Sequence, residues 1–361
     1  MKKTIPLAIA LFVIFVASIA SGETPSRELS LARFAVDPAW PSSKLNLGMV
    51  TGLAVDSHDH VWILHRPSLA PEIGGVAPPV IELDEKGQIV QGWGGPGAGY
   101  EWPGPGHEHG IFVDFQNNVW IGAEDREGKT ENQMLKFSPS GKFMLQIGHR
   151  GRGNGSNDVE NLGSAADVYV DQKTDEAYIA DGYVNRRVIV FDARTGRFKR
   201  YWGAYGHRPD DSAKPGDPSQ FTIVHQTRVS SEGLVYVASR QDSRIQVFTR
   251  KGKYLRERVF EEASPNAPGV VSIAFSRDAA QSVLYVVDLS KSVVHILVRR
   301  TLATVGSLGG PGADVGQFQL PHNCATDSKG NLYVAELGRR TGARWAGRIQ
   351  KFTLANAGPT Q

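Results

Sequence analysis

The chain of 361 residues contains six copies of one strand–turn–strand unit. Each copy has an alternating apolar strand, a polar turn and a second strand built around an aromatic residue. The copies are TGLAVDSHDHVWILHR (51–66), HGIFVDFQNNVWIGAED (109–125), ADVYVDQKTDEAYIADG (166–182), HQTRVSSEGLVYVASR (225–240), VSIAFSRDAAQSVLYVVD (271–288) and HNCATDSKGNLYVAEL (322–337). Period-2 alternation interrupted by turn residues predicts antiparallel β-structure, and the repetition predicts an array of similar structural units.

The spacing of the copies predicts the architecture. The residue that ends the first strand, called the anchor below, falls at Asp56, Asp114, Asp171, Ser230, Ser276 and Asp327. The intervals of 58, 57, 59, 46 and 51 residues each leave room for the four short strands of a propeller blade. We therefore predict an all-β fold in which residues 21–361 form a single six-bladed β-propeller domain, although length alone would suggest two or three domains.

The two ends of the repeat array predict how the ring closes. The last copy ends at KFTL after only three strands, whereas LARFAVDPAWP precedes the first copy as an additional strand. We predict that residues 31–37 supply the outer strand of the last blade.

The start of the chain resembles an export signal. Lys2 and Lys3 are followed by an apolar run from Ile5 to Ala17 and by small residues that suit cleavage after Ala20. We expect residues 1–20 to be a signal peptide and the protein to be exported, either periplasmic or secreted, with no membrane attachment after cleavage. An uncleaved anchor is the alternative, but the run is short for a membrane span.

Charge and cysteine content exclude two further classes. Removing residues 1–20 takes away two lysines from 40 basic residues, which leaves 38 against 37 acidic ones without any basic block. We therefore expect no nucleic-acid partner. The single cysteine, Cys324, excludes an internal disulfide framework.

Histidine recurs in alternate copies. The residues five before the anchors, called position −5 below, are Thr51, His109, Ala166, His225, Val271 and His322. Alternate blades of a six-membered ring are related by a third of a turn, so the three imidazoles would converge on the central axis. Three histidines with an open fourth position suit a catalytic metal. Zinc is favoured, while copper, nickel, iron or cobalt could also bind three nitrogens; three unrelated core histidines are the competing interpretation.

Three further side chains follow the second strands of the first, third and fourth copies. They are Arg66, Tyr183 and Arg240, and Asp181 precedes the tyrosine. Two arginines near a metal could bind a carboxylate, and a tyrosine could move a proton. Ordinary hydrogen bonding between blades explains these residues equally well.

The motifs together resemble a known family. The repeats resemble NHL repeats, and the chain after residue 20 resembles the peptidyl-α-hydroxyglycine α-amidating lyases, which are six-bladed propellers. The similarity lies in GMVTGLAVDSHDHVWILHR, HGIFVD, ADGYVNRRVIVF, IVHQTRV, VASRQDSRIQVF and LPHNCATDSKGNLYVAEL. It implies zinc ligands at His109, His225 and His322. It also implies catalytic roles for Tyr183, Arg66 and Arg240.

The chain departs from the family at three positions. Val184 stands where the animal enzymes have a cysteine, and Leu320 stands where they have a methionine. The resemblance also implies a structural calcium held by the carbonyl groups of Leu53 and Ile111 and by an aspartate. That aspartate is Asn323 here, so one negative charge is lost.

The implied reaction cleaves the N–C bond of an α-hydroxyglycine to give an amide and glyoxylate. The implied partner is a small-molecule or peptide substrate with a carboxylate. Because the sequence shows no monooxygenase domain, the protein could act on a different carbinolamide or receive the α-hydroxyglycine from a separate monooxygenase. The alternatives are a non-enzymatic NHL propeller that binds a protein or ligand, a propeller hydrolase that uses calcium and carboxylates, and a zinc lyase for another substrate.

Overall fold

A computed structural model describes residues 34–71, 75–125, 127, 130–261 and 267–355. These residues form 24 β-strands in six antiparallel four-stranded sheets, with two short 3-10 turns at Pro67–Leu69 and Ala204–Gly206. The predicted six-bladed β-propeller is confirmed. The predicted signal peptide lies outside the described residues. Within them, no helix has the length and hydropathy needed to span a bilayer.

The sheets follow one another along the chain as blades 1 to 6. Blade 1 contains β2 (Met49–Val55), β3 (Val61–Arg66), β4 (Val80–Leu83) and β5 (Ile89–Trp93). Blade 2 contains β6 (Glu108–Val113), β7 (Val119–Ala123), β8 (Met134–Phe137) and β9 (Phe143–Ile147). Blade 3 contains β10 (Asp167–Asp171), β11 (Glu176–Asp181), β12 (Arg187–Asp192) and β13 (Phe198–Trp202).

The second half of the ring repeats this order. Blade 4 contains β14 (Val224–Val229), β15 (Leu234–Ser239), β16 (Arg244–Thr249) and β17 (Tyr254–Val259). Blade 5 contains β18 (Val270–Phe275), β19 (Val283–Asp288), β20 (Val293–Val298) and β21 (Ala303–Gly309). Blade 6 contains β22 (Pro321–Thr326), β23 (Leu332–Thr341), β24 (Arg344–Leu354) and, from the other end of the chain, β1 (Phe34–Val36).

The ring closes as the sequence predicts, by a strand within residues 31–37, of which residues 31–33 lie outside the described part of the chain. Strand β1 pairs with β24 in antiparallel register, with Phe34 opposite Leu354 and Val36 opposite Phe352. The last blade thus obtains its outer strand from the start of the propeller, which leaves no open junction between the first and last blades.

The anchor aspartates explain why the turns recur. Asp56 accepts hydrogen bonds from the backbone N–H groups of His58 and His60 with one oxygen and from the Trp62 indole with the other, at 2.9 Å. Asp114 and Trp120 repeat the second contact at 3.0 Å. One carboxylate therefore shapes the turn and fixes the aromatic residue of the next strand.

The apolar residues form one cluster at each of the six interfaces between blades. Trp120 and Met134 of blade 2, for example, pack with Val168 and Phe191 of blade 3. Five further clusters fill the other interfaces among the described residues. Burial of these faces drives ring formation, and it holds the six inner strands, β2, β6, β10, β14, β18 and β22, around the axis.

A β-bulge lies at position −5 of most inner strands. The register shifts there in the β2–β3, β6–β7, β14–β15, β18–β19 and β22–β23 pairs. A bulge adds one unpaired residue and redirects its side chain. All three position −5 histidines lie in such a bulge, because the shifts span His109, His225 and His322.

Candidate metal centre

The three position −5 histidines meet on the axis of the ring. Their rings form a nearly equilateral triangle with centroids 5.0, 5.0 and 4.8 Å apart. One ring nitrogen of each lies within 4.8 Å of the other two, and all three residues are buried. The fold therefore brings together the three residues that the alternating pattern singled out.

The other three blades orient these imidazoles. Each histidine places Nδ1 against the carbonyl oxygen of the position −5 residue in the following blade: His109 to Ala166 at 2.8 Å, His225 to Val271 at 2.7 Å and His322 to Thr51 at 2.9 Å. A carbonyl can only accept, so Nδ1 carries the proton and donates it. Each Nε2 is consequently unprotonated, which is the form that binds a metal.

The environment keeps the three rings neutral. Burial lowers the pKa of all three imidazoles, and the positive charge of Arg240 lowers each of them further. The pKa of His322 falls to about 3. Neutral imidazole is the ligand form, so protons do not compete for these nitrogens at neutral pH.

Tyr183 places its hydroxyl next to two of the Nε2 atoms. Its hydroxyl is 2.8 Å from His109 Nε2 and 3.2 Å from His225 Nε2. Because both Nε2 atoms are acceptors, the phenol donates. The tyrosine predicted from the DGY segment thus places its oxygen within hydrogen-bonding distance of two members of the histidine cluster.

Asp181 fixes the loop that carries Tyr183. It is fully buried and accepts from Gly163 N at 2.6 Å, Asn185 Nδ2 at 2.8 Å and Arg187 Nε at 2.8 Å. Asp181 therefore pairs with an arginine of its own blade, and it positions the tyrosine loop through that contact.

Arg66 is already engaged by protein groups. Its Nε donates to the Glu108 carbonyl at 2.8 Å, and one terminal nitrogen pairs with the Glu124 carboxylate at 2.7 Å. Its positive charge lowers the pKa of His109 and His322, so Arg66 lies near both rings.

Arg240 contrasts with Arg66. It is only 8% exposed, yet its Nε has no hydrogen-bond partner, and no carboxylate of a described residue forms an ion pair with its guanidinium. Its backbone N–H donates to Ile223, two residues before His225, and its charge acts on all three histidines. A buried, unpaired guanidinium is costly for the protein alone and suits an anionic ligand.

The predicted calcium residues lie on neighbouring inner strands. Leu53 is in blade 1, Ile111 in blade 2 and Asn323 in blade 6, and all three are buried. The Asn323 side-chain oxygen accepts a long hydrogen bond of 3.4 Å from Ser272. The set offers only neutral oxygen atoms.

The single cysteine, Cys324, is a buried thiol. Burial raises the pKa of this thiol to about 12, so it stays protonated.

Sequence reasoning missed two contributors to this centre. The first is Glu124, which sits ten residues after its anchor, as do Arg66, Asp181 and Arg240. Comparing that position in every copy would have found it. The second is the set of three position −5 carbonyl groups, which carry no side-chain signal.

Comparisons with known proteins give distant relatives. No family model matches the chain. It is 28% identical over 332 residues to mouse NHL repeat-containing protein 3, covering 88% of this chain and 84% of the relative. It is 26% identical over 324 residues to peptidyl-glycine alpha-amidating monooxygenase B of Xenopus laevis, covering 83% of this chain but 34% of the relative. It is 26% identical over 338 residues to peptidyl-alpha-hydroxyglycine alpha-amidating lyase 2 of Drosophila melanogaster, covering 88% and 74%.

The chain thus spans about a third of the Xenopus monooxygenase. A solved streptogramin B lyase structure matches with a TM-score of 0.53 and 12% identity, covering 87% of this chain and 96% of that one. At that identity the match concerns the fold alone. Together the sequence relatives and the fold support an NHL-repeat propeller, distantly related both to NHL repeat-containing proteins and to amidating lyases.

Proposed function

We propose that this protein is a zinc-dependent carbon–nitrogen lyase that cleaves α-hydroxyglycine-type amides into a primary amide and glyoxylate. The observation that carries the proposal is the unpaired, buried Arg240 guanidinium beside three Nε2 lone pairs and the Tyr183 hydroxyl. That combination offers an anion-binding group, a metal site and a proton-transfer group around one histidine cluster.

The three histidines fit a metal ion. They are buried, their tautomers are fixed by backbone carbonyls, and their unprotonated nitrogens lie within 4.8 Å of one another. A zinc ion held there would supply a Lewis acid that polarises the substrate hydroxyl and lowers its pKa.

The remaining side chains account for the bond changes. Arg240 binds the substrate carboxylate through a charge-assisted fork. Tyr183 would first give up its own phenolic proton to solvent, which the positive charge around the site favours. As the phenolate it then acts as the base and takes the hydroxyl proton while the carbon–oxygen double bond forms and the C–N bond breaks. The same proton passes to the departing amide nitrogen, so the products are the primary amide and glyoxylate. Arg66, held by Glu124, balances the charge that develops on the oxygen.

Calcium is the weaker cofactor proposal. Leu53 and Ile111 would contribute carbonyl oxygens and Asn323 an amide oxygen, so the set carries no negative charge. Calcium affinity rises with the number of charged ligands. We therefore expect any calcium binding at this position to be weak.

The named activity of the Drosophila relative supports the lyase. The name of the mouse relative states no activity. A non-enzymatic propeller that binds a protein or ligand is therefore the alternative that an assay must exclude. Such a propeller has no need for a buried arginine without a partner beside a histidine cluster.

The test is glyoxylate release from a benzoyl-α-hydroxyglycine model substrate by the purified, zinc-loaded protein, with and without prior chelation. We expect release that chelation abolishes and zinc restores. If protein shown to carry stoichiometric zinc releases no glyoxylate, the proposed α-hydroxyglycine substrate is refuted. Absence of bound zinc would refute the metal centre.

The structure of an α-hydroxyglycine indicates which reaction must produce the substrate. An α-hydroxyglycine arises by hydroxylation of a glycine α-carbon, so a monooxygenase reaction would supply it. The features of residues 1–20 lead us to propose that the lyase acts outside the cytoplasm, in the periplasm or the medium.

A further inference from the structure

One hairpin extends well beyond the blade to which it belongs. Strands β23 and β24 contain 10 and 11 residues, against six each for β11 and β12 of blade 3. Blade pairing between β22 and β23 ends at Pro321 and Glu336, but β23 and β24 stay paired as far as Thr341 and Arg344. The part beyond the blade, residues 337–347, is called the ribbon below. At about 3.3 Å per residue, the five residues Leu337 to Thr341 extend roughly 16 Å.

The ribbon rises at the end of the ring that holds the metal centre. At its base Leu337 N donates to the carbonyl of Leu320, two residues before His322. Farther along, a terminal nitrogen of Arg344 donates to the Ser68 carbonyl at 3.0 Å, two residues after Arg66. The ribbon therefore stands beside the entrance to the site, between the segments that carry a ligand and an active-site arginine.

The ribbon is cationic and contains no acid. Residues 337–347 contain three arginines and neither Asp nor Glu, and a fourth arginine, Arg348, follows directly. Arg348 pairs with the buried Glu336 at 2.7 Å and so belongs to the blade. Arg339 and Arg340 are exposed and form no ion pair with any residue in the described part of the chain.

An aromatic face accompanies the charges. The guanidinium of Arg340 lies 6.0 Å from the centre of the half-buried Trp345 ring. An exposed arginine pair next to a tryptophan suits a chain that offers both carboxylates and apolar side chains. The rest of the chain is nearly neutral, so this concentration of charge is local.

We propose that the ribbon binds acidic peptide segments, and specifically the residues that precede the C-terminal α-hydroxyglycine of a peptide substrate. This rests on the proposed lyase function, since it assigns the substrate class of that same site. An extended peptide covers about 3.3 Å per residue, so the acidic residues lie within the five that precede the reacting group. Their carboxylates pair with Arg339 and Arg340.

The experiment compares two peptides of equal length that end in α-hydroxyglycine, one with two glutamates upstream and one with two glutamines. Turnover and KM are measured for the wild type and for Arg339→Ala/Arg340→Ala. The matched control is Arg194→Ala/Arg197→Ala, which removes two exposed arginines from the β12–β13 turn at the opposite end of a blade. Binding of a fluorescent, non-reacting Glu-containing peptide with C-terminal glycine is measured by anisotropy in parallel.

We expect KM to be about fivefold to tenfold lower for the acidic peptide in the wild type and in the control, from two exposed charge pairs. The ribbon variant should lose that difference while kcat stays unchanged. Raising the salt concentration should reduce the difference as well.

The outcomes separate the two proposals. If the wild type turns over both peptides with equal KM, the ribbon proposal is overturned and the lyase proposal stands. Peptide binding that is detected by anisotropy and lost in the ribbon variant, without turnover of either peptide, overturns the lyase proposal and supports the ribbon proposal. Equal, ribbon-dependent binding of single-stranded DNA or of phosphatidylserine vesicles would overturn the assignment to peptides.

Discussion

Replacing Arg240 with methionine should make the protein more stable and less active. The guanidinium is buried and has no partner among the described residues. Methionine has a similar length without charge. Removing an unpaired buried charge should raise the free energy of unfolding by about 1–3 kcal/mol. With an unfolding entropy of about 2.1 cal/mol/K per residue, a propeller of this size should gain about 1.5 °C in Tm per kcal/mol.

Activity should change in the opposite direction. Loss of a buried charge-assisted contact to the substrate carboxylate costs about 2–5 kcal/mol, or a factor of roughly 30 to 5,000 in kcat/KM. Arg240 also lowers the pKa of all three histidines by its charge. Removing that charge should strengthen zinc binding, so the lost activity cannot be assigned to lost metal.

Arg66→Met is the matched comparison. Arg66 follows its anchor by the same ten residues as Arg240, but it pairs with Glu124 at 2.7 Å. Its removal leaves that carboxylate unpaired, so Tm should fall. Urea denaturation and calorimetry of the two metal-free variants measure whether stability rises in Arg240→Met and falls in Arg66→Met. If Arg240→Met destabilises as much as Arg66→Met, the guanidinium is a structural element and the carboxylate site is wrongly placed.

Three further outcomes follow from other parts of the structure. Tyr183→Phe should lose about 10²–10⁴ in turnover while zinc content is retained; full activity by glyoxylate assay would remove Tyr183 from the mechanism. Asp181→Asn should cost about 3 kcal/mol of stability, since it breaks a fully buried pair with Arg187; a loss below about 1 kcal/mol in urea denaturation would contradict the role given to this pair. His65 has a pKa lowered to about 4 by burial, although its backbone hydrogen bonds oppose the shift. The unfolded state therefore binds the proton first as pH falls from about 6.5 to 4, and stability drops by up to about 3 kcal/mol. His65→Gln should flatten that part of the stability curve, and an unchanged slope would show that His65 titrates normally.

The repeat sequence was sufficient to predict the architecture. Alternation, turn residues and a spacing near 50 residues are local signals, and six such units can bury their faces only by packing in sequence around a ring. The unpaired strand before the first copy and the missing strand of the last predicted the closure that Phe34 and Leu354 show.

The histidine positions were also visible in the sequence. Their alternation depends only on the repeat alignment, and ring symmetry then predicts that His109, His225 and His322 converge. The geometry agrees, with ring centroids about equally spaced. Their role as metal ligands remains a prediction.

What the sequence determined by itself was therefore the periodic part of the protein: the blade count, the closure and which side chains face the axis. Only the tertiary structure decided the protonation of those side chains, because Ala166, Val271 and Thr51 act through backbone carbonyls that every residue possesses. It also decided which arginine is paired. Arg66 and Arg240 occupy the same repeat position, but a carboxylate from the neighbouring blade reaches only one of them. Contacts between blades depend on side chains from distant copies, and no local pattern records them.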